Sequence, residues 1–91
     1  VKFEWDKRKE AENLVKHGVD FETAKEAFLD ARRVVLHDEK HSQSEPRLFC
    51  MGIVGGRVLT VRFTLRDKAI RIIGAGYWRE GKSIYEKNNQ D

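Results

Sequence analysis

The chain has little of what staples, breaks or embeds a polypeptide: among 91 residues there is one cysteine and one proline. A lone Cys50 excludes an internal disulfide. With no signal-like stretch at the N-terminus, it makes a reducing cytoplasm the expected location. No apolar run approaches the roughly 20 residues that cross a bilayer, so no membrane role is expected. Linkers, repeats and low-complexity segments are also missing. The expectation is a single domain over residues 1–91, long enough for one two-layer core.

Charge is plentiful, at 36% of residues, and it is segregated. Residues 1–46 carry 9 Lys/Arg against 11 Asp/Glu, whereas residues 47–91 carry 9 against 4. A basic second half suggests a polyanionic partner such as nucleic acid, with a solvated basic face as the plain alternative.

Local signals order the elements. FEW (3–5) reads as a short strand, and Asp6 caps a helix over DKRKEAENLVKHG that Gly18 ends, with Lys16 and His17 in its last turn. Asp20 caps a second helix whose stripe is Phe21, Ala24, Ala27, Phe28 and Leu29, and Asp30 closes it. RRVVLHD is a strand and DEKHSQSEP a polar loop. RLFCMGIV, a Gly55-Gly56 turn, RVLTVRFTLR, an Asp67-Lys68 turn and AIRIIGA form a meander. A final helix is expected from about Tyr77, with Gly81 costing it about 1 kcal/mol relative to alanine. The order β-α-α-β-β-β-β-α predicts an α+β fold, two helices on one face of a mostly antiparallel sheet.

Strand alternation sorts the arginines. Leu59, Val61, Phe63 and Leu65 share one face, and Thr60, Arg62, Thr64 and Arg66 the other. Two-residue turns place Val54 opposite Arg57, Phe49 opposite Arg62, Arg47 opposite Thr64, Arg66 opposite Ala69 and Thr64 opposite Arg71. Leu48, Cys50, Val61, Phe63, Ile70 and Ile72 then face the helices. The expected result is an uncovered polar face carrying Arg47, Phe49, Arg62, Thr64, Arg66 and Arg71.

Guanidinium forks hold phosphates and an aromatic ring stacks on a base, which suits single-stranded RNA. The plain alternative pairs these arginines with Asp38, Glu39, Glu45 or the last helix. RNA cleavage needs no metal if the 2′-hydroxyl attacks the adjacent phosphorus, with a base, an acid and cations to help. His17, His37, His41, Glu80 and Tyr85 are the candidate proton carriers, and spacing alone brings none of them to the patch.

Several stretches together resemble the BrnT toxins: FEWD (3–6), Asn13, KHGVDF (16–21), FLD (28–30), the D-x-x-H-S of Asp38 to Ser42, Glu45, Arg47, the F-T-x-R of Phe63 to Arg66, RII (71–73), and Arg79, Glu80, Tyr85 and Glu86. The resemblance implies a RelE-like ribonuclease fold and RNA cleavage that arrests translation. It also implies a BrnA-like antitoxin partner whose ribbon-helix-helix part makes the operator DNA contacts. Catalytic roles are expected for Thr64, Arg66, Arg71, Arg79, Glu80 and Tyr85, and RNA contacts for Arg47, Phe49, Arg62, Lys16 and His17. No metal and no cofactor are expected.

Three positions depart from the family pattern: Leu65 stands where glutamate is usual, Ile73-Gly74-Ala75-Gly76 where I-S-A-R is common, and Gly81 where a basic residue is common. They support an alternative, a degenerate toxin kept as antitoxin partner and co-repressor. Other features carry plain readings beside sharp ones. Lys16 and His17 also suit a helix C-terminus, and His37-x-x-x-His41 lacks the paired cysteines of a common zinc site. Gly74-Ala75-Gly76 lacks a full phosphate-loop fingerprint. Tyr77 and Trp78 either stack on bases or pack the last helix. Trp5, Phe21, Phe28 and Cys50 are expected in the core.

Overall fold

The structure is a computed structural model that describes residues 1–90. Strand β1 (Lys2–Trp5) leads into helix α1 (Lys7–His17). The Asp6 carboxylate accepts the Arg8 and Lys9 N–H groups at 2.8 and 3.2 Å. Gly18 leaves the helix at φ 69°, its N–H donating to the Leu14 carbonyl at 2.9 Å. Asp20 caps the next helix through the Thr23 N–H at 2.7 Å.

That second helix is shorter than its stripe predicts. One α turn, α2 (Phe21–Ala24), tightens into a 3-10 helix over Lys25–Leu29. Phe21, Ala24 and Ala27 are buried and Phe28 partly so, but Leu29 is 81% exposed, because three residues per turn carry it off the apolar face. The tight segment also presses its backbone onto the sheet. A Cβ at Gly52 would collide with the Ala27 carbonyl, so only glycine fits beneath it.

Strand β2 (Val34–His37) is shorter than the RRVVLHD stretch. After it the loop makes a 3-10 turn at Glu39–His41. The meander follows as β3 (Leu48–Val54), β4 (Arg57–Arg66) and β5 (Ala69–Gly76). Both hairpins turn on two residues with positive φ, Gly55 and Gly56 at 61° and 81°, Asp67 and Lys68 at 51° and 67°, as type I′ geometry requires. The pairs Val54–Arg57, Phe49–Arg62, Thr64–Arg71 and Arg66–Ala69 fall where even turns place them. Arg47 lies just outside β3, so its predicted pairing with Thr64 does not form.

The sheet order is β1-β5-β4-β3-β2, with β1 parallel to β5 and the other neighbours antiparallel. A bulge interrupts β4–β5: Phe63 faces Ile72 but Arg62 faces Gly74, leaving Ile73 as the extra residue. It resets the alternation of β5, so that Ile72 and Ala75, three apart, both enter the helix-side core. Beyond the end of β1, the Asn13 side chain takes over the free edge of β5. It donates to the Ala75 carbonyl at 2.9 Å and accepts the Ala75 N–H at 3.1 Å.

Helix α3 (Arg79–Asn88) corrects two expectations. It starts at Arg79 rather than Tyr77, and it covers part of the face expected to be open. Met51, Val58 and Tyr85 form a second small core there, flanked by Val34, Phe49 and Ile84. The sequence of β4 explains it, since Val58 and Thr60 precede Arg62 on that face. The upper strand is smooth enough for a helix, while the lower strand is charged. Gly81 is the contact point, because a Cβ there would run into Thr60 Oγ1, which is buried without a hydrogen-bond partner.

Candidate active site

Below α3 the arginines are not equivalent. Arg66 pairs with Glu45 at 3.1 Å, Arg47 lies 3.8 Å from the same carboxylate, and Arg71 pairs with Glu4 at 3.0 Å. The plain alternative of intramolecular pairing therefore holds for Arg66 and Arg47 through Glu45, while Arg71 is paired by Glu4, a partner it did not name. Among the described residues Arg62 forms no ion pair. Its guanidinium lies over Gly74, where a Cβ would stand 3.1 Å from Nη2. Thr64 is fully buried and its hydroxyl donates to the Pro46 carbonyl. In this arrangement it anchors the loop and does not face solvent.

The concavity lies higher, between α3 and the chain that leaves β2. Its volume is about 660 Å³. Phe49, Met51 and Thr60 form the sheet side, Trp78, Glu80, Gly81 and Ile84 one wall, and Leu36 to His41 the other. Asp38 and His41 also line an adjoining crevice of about 50 Å³ with Arg47, Leu48 and Arg62. The cleft and the unpaired arginine thus meet at the Asp38–His41 turn.

Local bonding holds that turn. The 3-10 geometry of Glu39–His41 brings residues three apart together, and His41 Nδ1 sits 2.8 Å from Asp38 Oδ2. The Asp38 N–H donates to the Arg47 carbonyl at 2.7 Å, and the Arg47 N–H donates to Ser42 Oγ at 2.9 Å. Ser42 Oγ in turn donates to the Asp38 carbonyl and lies 3.4 Å from His37 Nε2. Burial raises the Asp38 pKa, but the His41 hydrogen bond and charge outweigh it and leave the carboxyl below its ordinary value. An ionised Asp38 holds the Nδ1 proton of His41 and leaves Nε2 free. The His41 side chain is 66% exposed, open to a substrate.

These groups span the chemistry of phosphodiester cleavage. Glu80 and His41, side chains able to carry a proton, stand on opposite walls of one cleft, and Arg62 and Arg47 are cations beside the imidazole. Helix α3 begins without a side-chain cap, so its N-terminal dipole adds positive potential on the Glu80 side.

The other predicted residues lie apart. Arg66 and Arg71 lie further down the sheet, six steps along β4 or about 20 Å from Thr60, with Arg66 joined to Arg47 only through the shared Glu45 carboxylate. Arg79 opens into a second cavity on the far side of Trp78. Lys16 is exposed on α1, and His17 meets the Trp78 ring edge-on at 5.1 Å. Among the described residues no three His, Cys, Asp or Glu side chains converge as a metal site. The buried Cys50 thiol is pushed up to about 12 by desolvation, which leaves it inert at neutral pH. The D-x-x-H spacing was the available signal for the Asp38–His41 pair; its proximity to Arg62 had none.

Tyr85 has a structural partner. Its hydroxyl donates to Asp30 Oδ2 at 2.6 Å, and Asp30 also accepts the N–H groups of Ile53 and Arg32, each at 2.8 Å. One carboxylate thereby ties α3 to β3 and to the end of the 3-10 helix. The Tyr85 bond lowers the Asp30 pKa, and the same bond raises that of Tyr85. A depressed carboxylate contributes stability above its unfolded pKa of about 3.9 and loses it as pH falls through the lower folded value. Tyr85→Phe is therefore expected to destabilise the fold by roughly 1.5–3 kcal/mol at neutral pH. In urea melts the gap from the native chain should shrink below about pH 4; a gap independent of pH would contradict the pairing.

No curated protein matches the chain. A family model, described as ribonuclease toxin, BrnT, of type II toxin-antitoxin system, matches residues 5–81. That span runs from Trp5 on β1 to Gly81 in the first turn of α3, and it takes in the Asp38–His41 turn, Arg47, Arg62 and Glu80. A match across most of the sheet and most of the cleft shows the family, and the chain belongs to the BrnT ribonuclease toxins of type II toxin-antitoxin systems.

Proposed function

We propose that the protein cleaves RNA endonucleolytically without a metal ion, in the cleft between α3 and the Asp38–His41 turn, and that this cleavage inhibits translation. The Glu80 carboxylate takes the proton of a ribose 2′-hydroxyl, whose oxygen attacks the adjacent phosphorus. His41, oriented through Nδ1 by Asp38, gives a proton from Nε2 to the departing 5′-oxygen. The products are a 2′,3′-cyclic phosphate and a 5′-hydroxyl. Arg62 and Arg47 hold the non-bridging oxygens, where charge builds up; a preorganised donor of this kind contributes roughly 3 kcal/mol. Phe49 offers its ring to a base. Arg66 and Arg71, once released from Glu45 and Glu4, contact phosphates further along the strand.

The observation that carries this reading is the hydrogen-bonded His41–Asp38 pair, which lines both the cleft that holds Glu80 and the adjoining crevice that holds Arg62, an arginine with no ion pair among the described residues. Defined RNA incubated with the antitoxin-free protein in EDTA tests it. Fragments ending in cyclic phosphate are expected, and no cleavage in EDTA with cleavage restored by a divalent cation would sink the metal-free mechanism. Type II membership implies an antitoxin. We propose a BrnA-like ribbon-helix-helix protein that neutralises the toxin in the cytoplasm and makes the operator contacts.

One observation favours a second reading, an inactive partner and co-repressor. At Gly76 the space for a side chain is filled by the Trp78 ring, so the arginine common in the family has no room there. If that reading holds, Leu65→Glu with Gly76→Arg, made together with Trp78→Ala to clear the space, should give cleavage that the native chain lacks. Cleavage by the native chain rejects it.

A further inference from the structure

Beyond Trp78 lies a second cavity of about 480 Å³, between the β3–β4 hairpin and α3, and no role has been assigned to it. Arg57, Arg79 and Lys82 line it with Tyr77, and Glu86 is its single acidic wall residue. Among the described residues none of the three cations forms an ion pair.

The aromatic wall is held by several contacts. The Arg57 guanidinium lies 4.1 Å from the centre of the Tyr77 ring, and the Tyr77 hydroxyl donates to the Val54 carbonyl at 3.3 Å. Trp78 packs over Gly76 and is braced edge-on by His17. It borders both this cavity and the cleft, so a strand lying in the cleft passes this ring as it leaves. Ordered rings beside uncompensated cations are the recurring means of holding single-stranded nucleic acid, the ring taking a base and the cations its phosphate.

We propose that this cavity is a second RNA subsite, which holds a nucleotide flanking the cleavage position: its base against Trp78 and its phosphate on Arg57, Arg79 and Lys82. The inference rests on the cleft being the cleavage site. It makes length, rather than chemistry, the property of the substrate that this cavity senses.

Steady-state cleavage of a trinucleotide and of a decamer by the native chain and by Arg57→Gln/Lys82→Gln tests it. For the decamer KM is expected to rise about tenfold or more on losing these contacts, with kcat unchanged; for the trinucleotide neither constant should move. An unchanged decamer KM overturns the subsite, and joined to lost binding of poly-glutamate it would assign the cavity to an acidic protein segment. If the native chain cleaves neither RNA, the cleavage reading fails separately. Binding of the decamer as DNA then decides. A salt slope that falls by about 1.4 in the double variant, two contacts at about 0.7 each, keeps the subsite, and an equal slope removes it.

Discussion

His41→Ala should slow RNA cleavage by about 10²–10⁴-fold, the usual contribution of a positioned proton carrier, while the thermal midpoint stays within about 2 °C. The second half of that expectation follows from exposure, since the imidazole stands largely in solvent and among the described residues bonds only to Asp38. Glu80→Gln should give a comparable loss, because it removes the partner on the opposite wall. Arg62→Ala should cost about 10²–10³-fold in kcat by removing a cation from the developing phosphoryl charge. Arg66→Ala should act chiefly on KM. Rate assays on a short RNA in EDTA decide among these outcomes. Full activity in His41→Ala with activity abolished in Arg66→Ala would move the chemistry to the lower arginine row and refute the assigned cleft.

The second large effect concerns stability and runs against helix propensity. On propensity alone Gly81→Ala should stabilise α3 by about 1 kcal/mol. The packing predicts the opposite, a loss of about 1–3 kcal/mol, since the new methyl would occupy the place of Thr60 Oγ1. For a domain of this size that is a fall of about 4–8 °C per kcal/mol. Adding Thr60→Ala removes the obstructing hydroxyl, which itself has no partner to lose. The double variant should recover about 1 kcal/mol or more, a coupling expected only of residues in contact. Gly52→Ala should be worse and beyond such rescue, because the obstacle is the Ala27 backbone rather than a side chain. Thermal and urea melts of these three variants and of Thr60→Ala alone settle the matter. A rise in midpoint for Gly81→Ala would mean that α3 does not lie this close to the sheet.

The residues of the cleft were visible before their arrangement was. His37, His41 and Glu80 stand out in the sequence as proton carriers, and Arg47, Phe49 and Arg62 as an RNA-binding set. Nothing in their spacing joins the two groups. The connection depends on α3 crossing to the far face of the sheet and on a 3-10 turn folding the β2–β3 loop back beside Arg62, both long-range outcomes. The same crossing separates Arg79 and Glu80, neighbours in sequence, into two cavities on either side of Trp78. Arg66 and Arg71 stood out equally in sequence, yet their partners Glu45 and Glu4 come from segments 21 and 67 residues away.

What the amino-acid order determined alone was local: the caps at Asp6, Gly18 and Asp20, the two-residue turns, and the strand register next to those turns, short of the β4–β5 bulge. Each rests on backbone preferences and a period of two, which act over a few residues. Tertiary structure alone decided which arginines remain unpaired, where α3 lies, and why glycine stands at 52, 76 and 81. Those outcomes depend on close packing between distant segments, where a single methyl group or carboxylate determines what fits, and no local pattern encodes that.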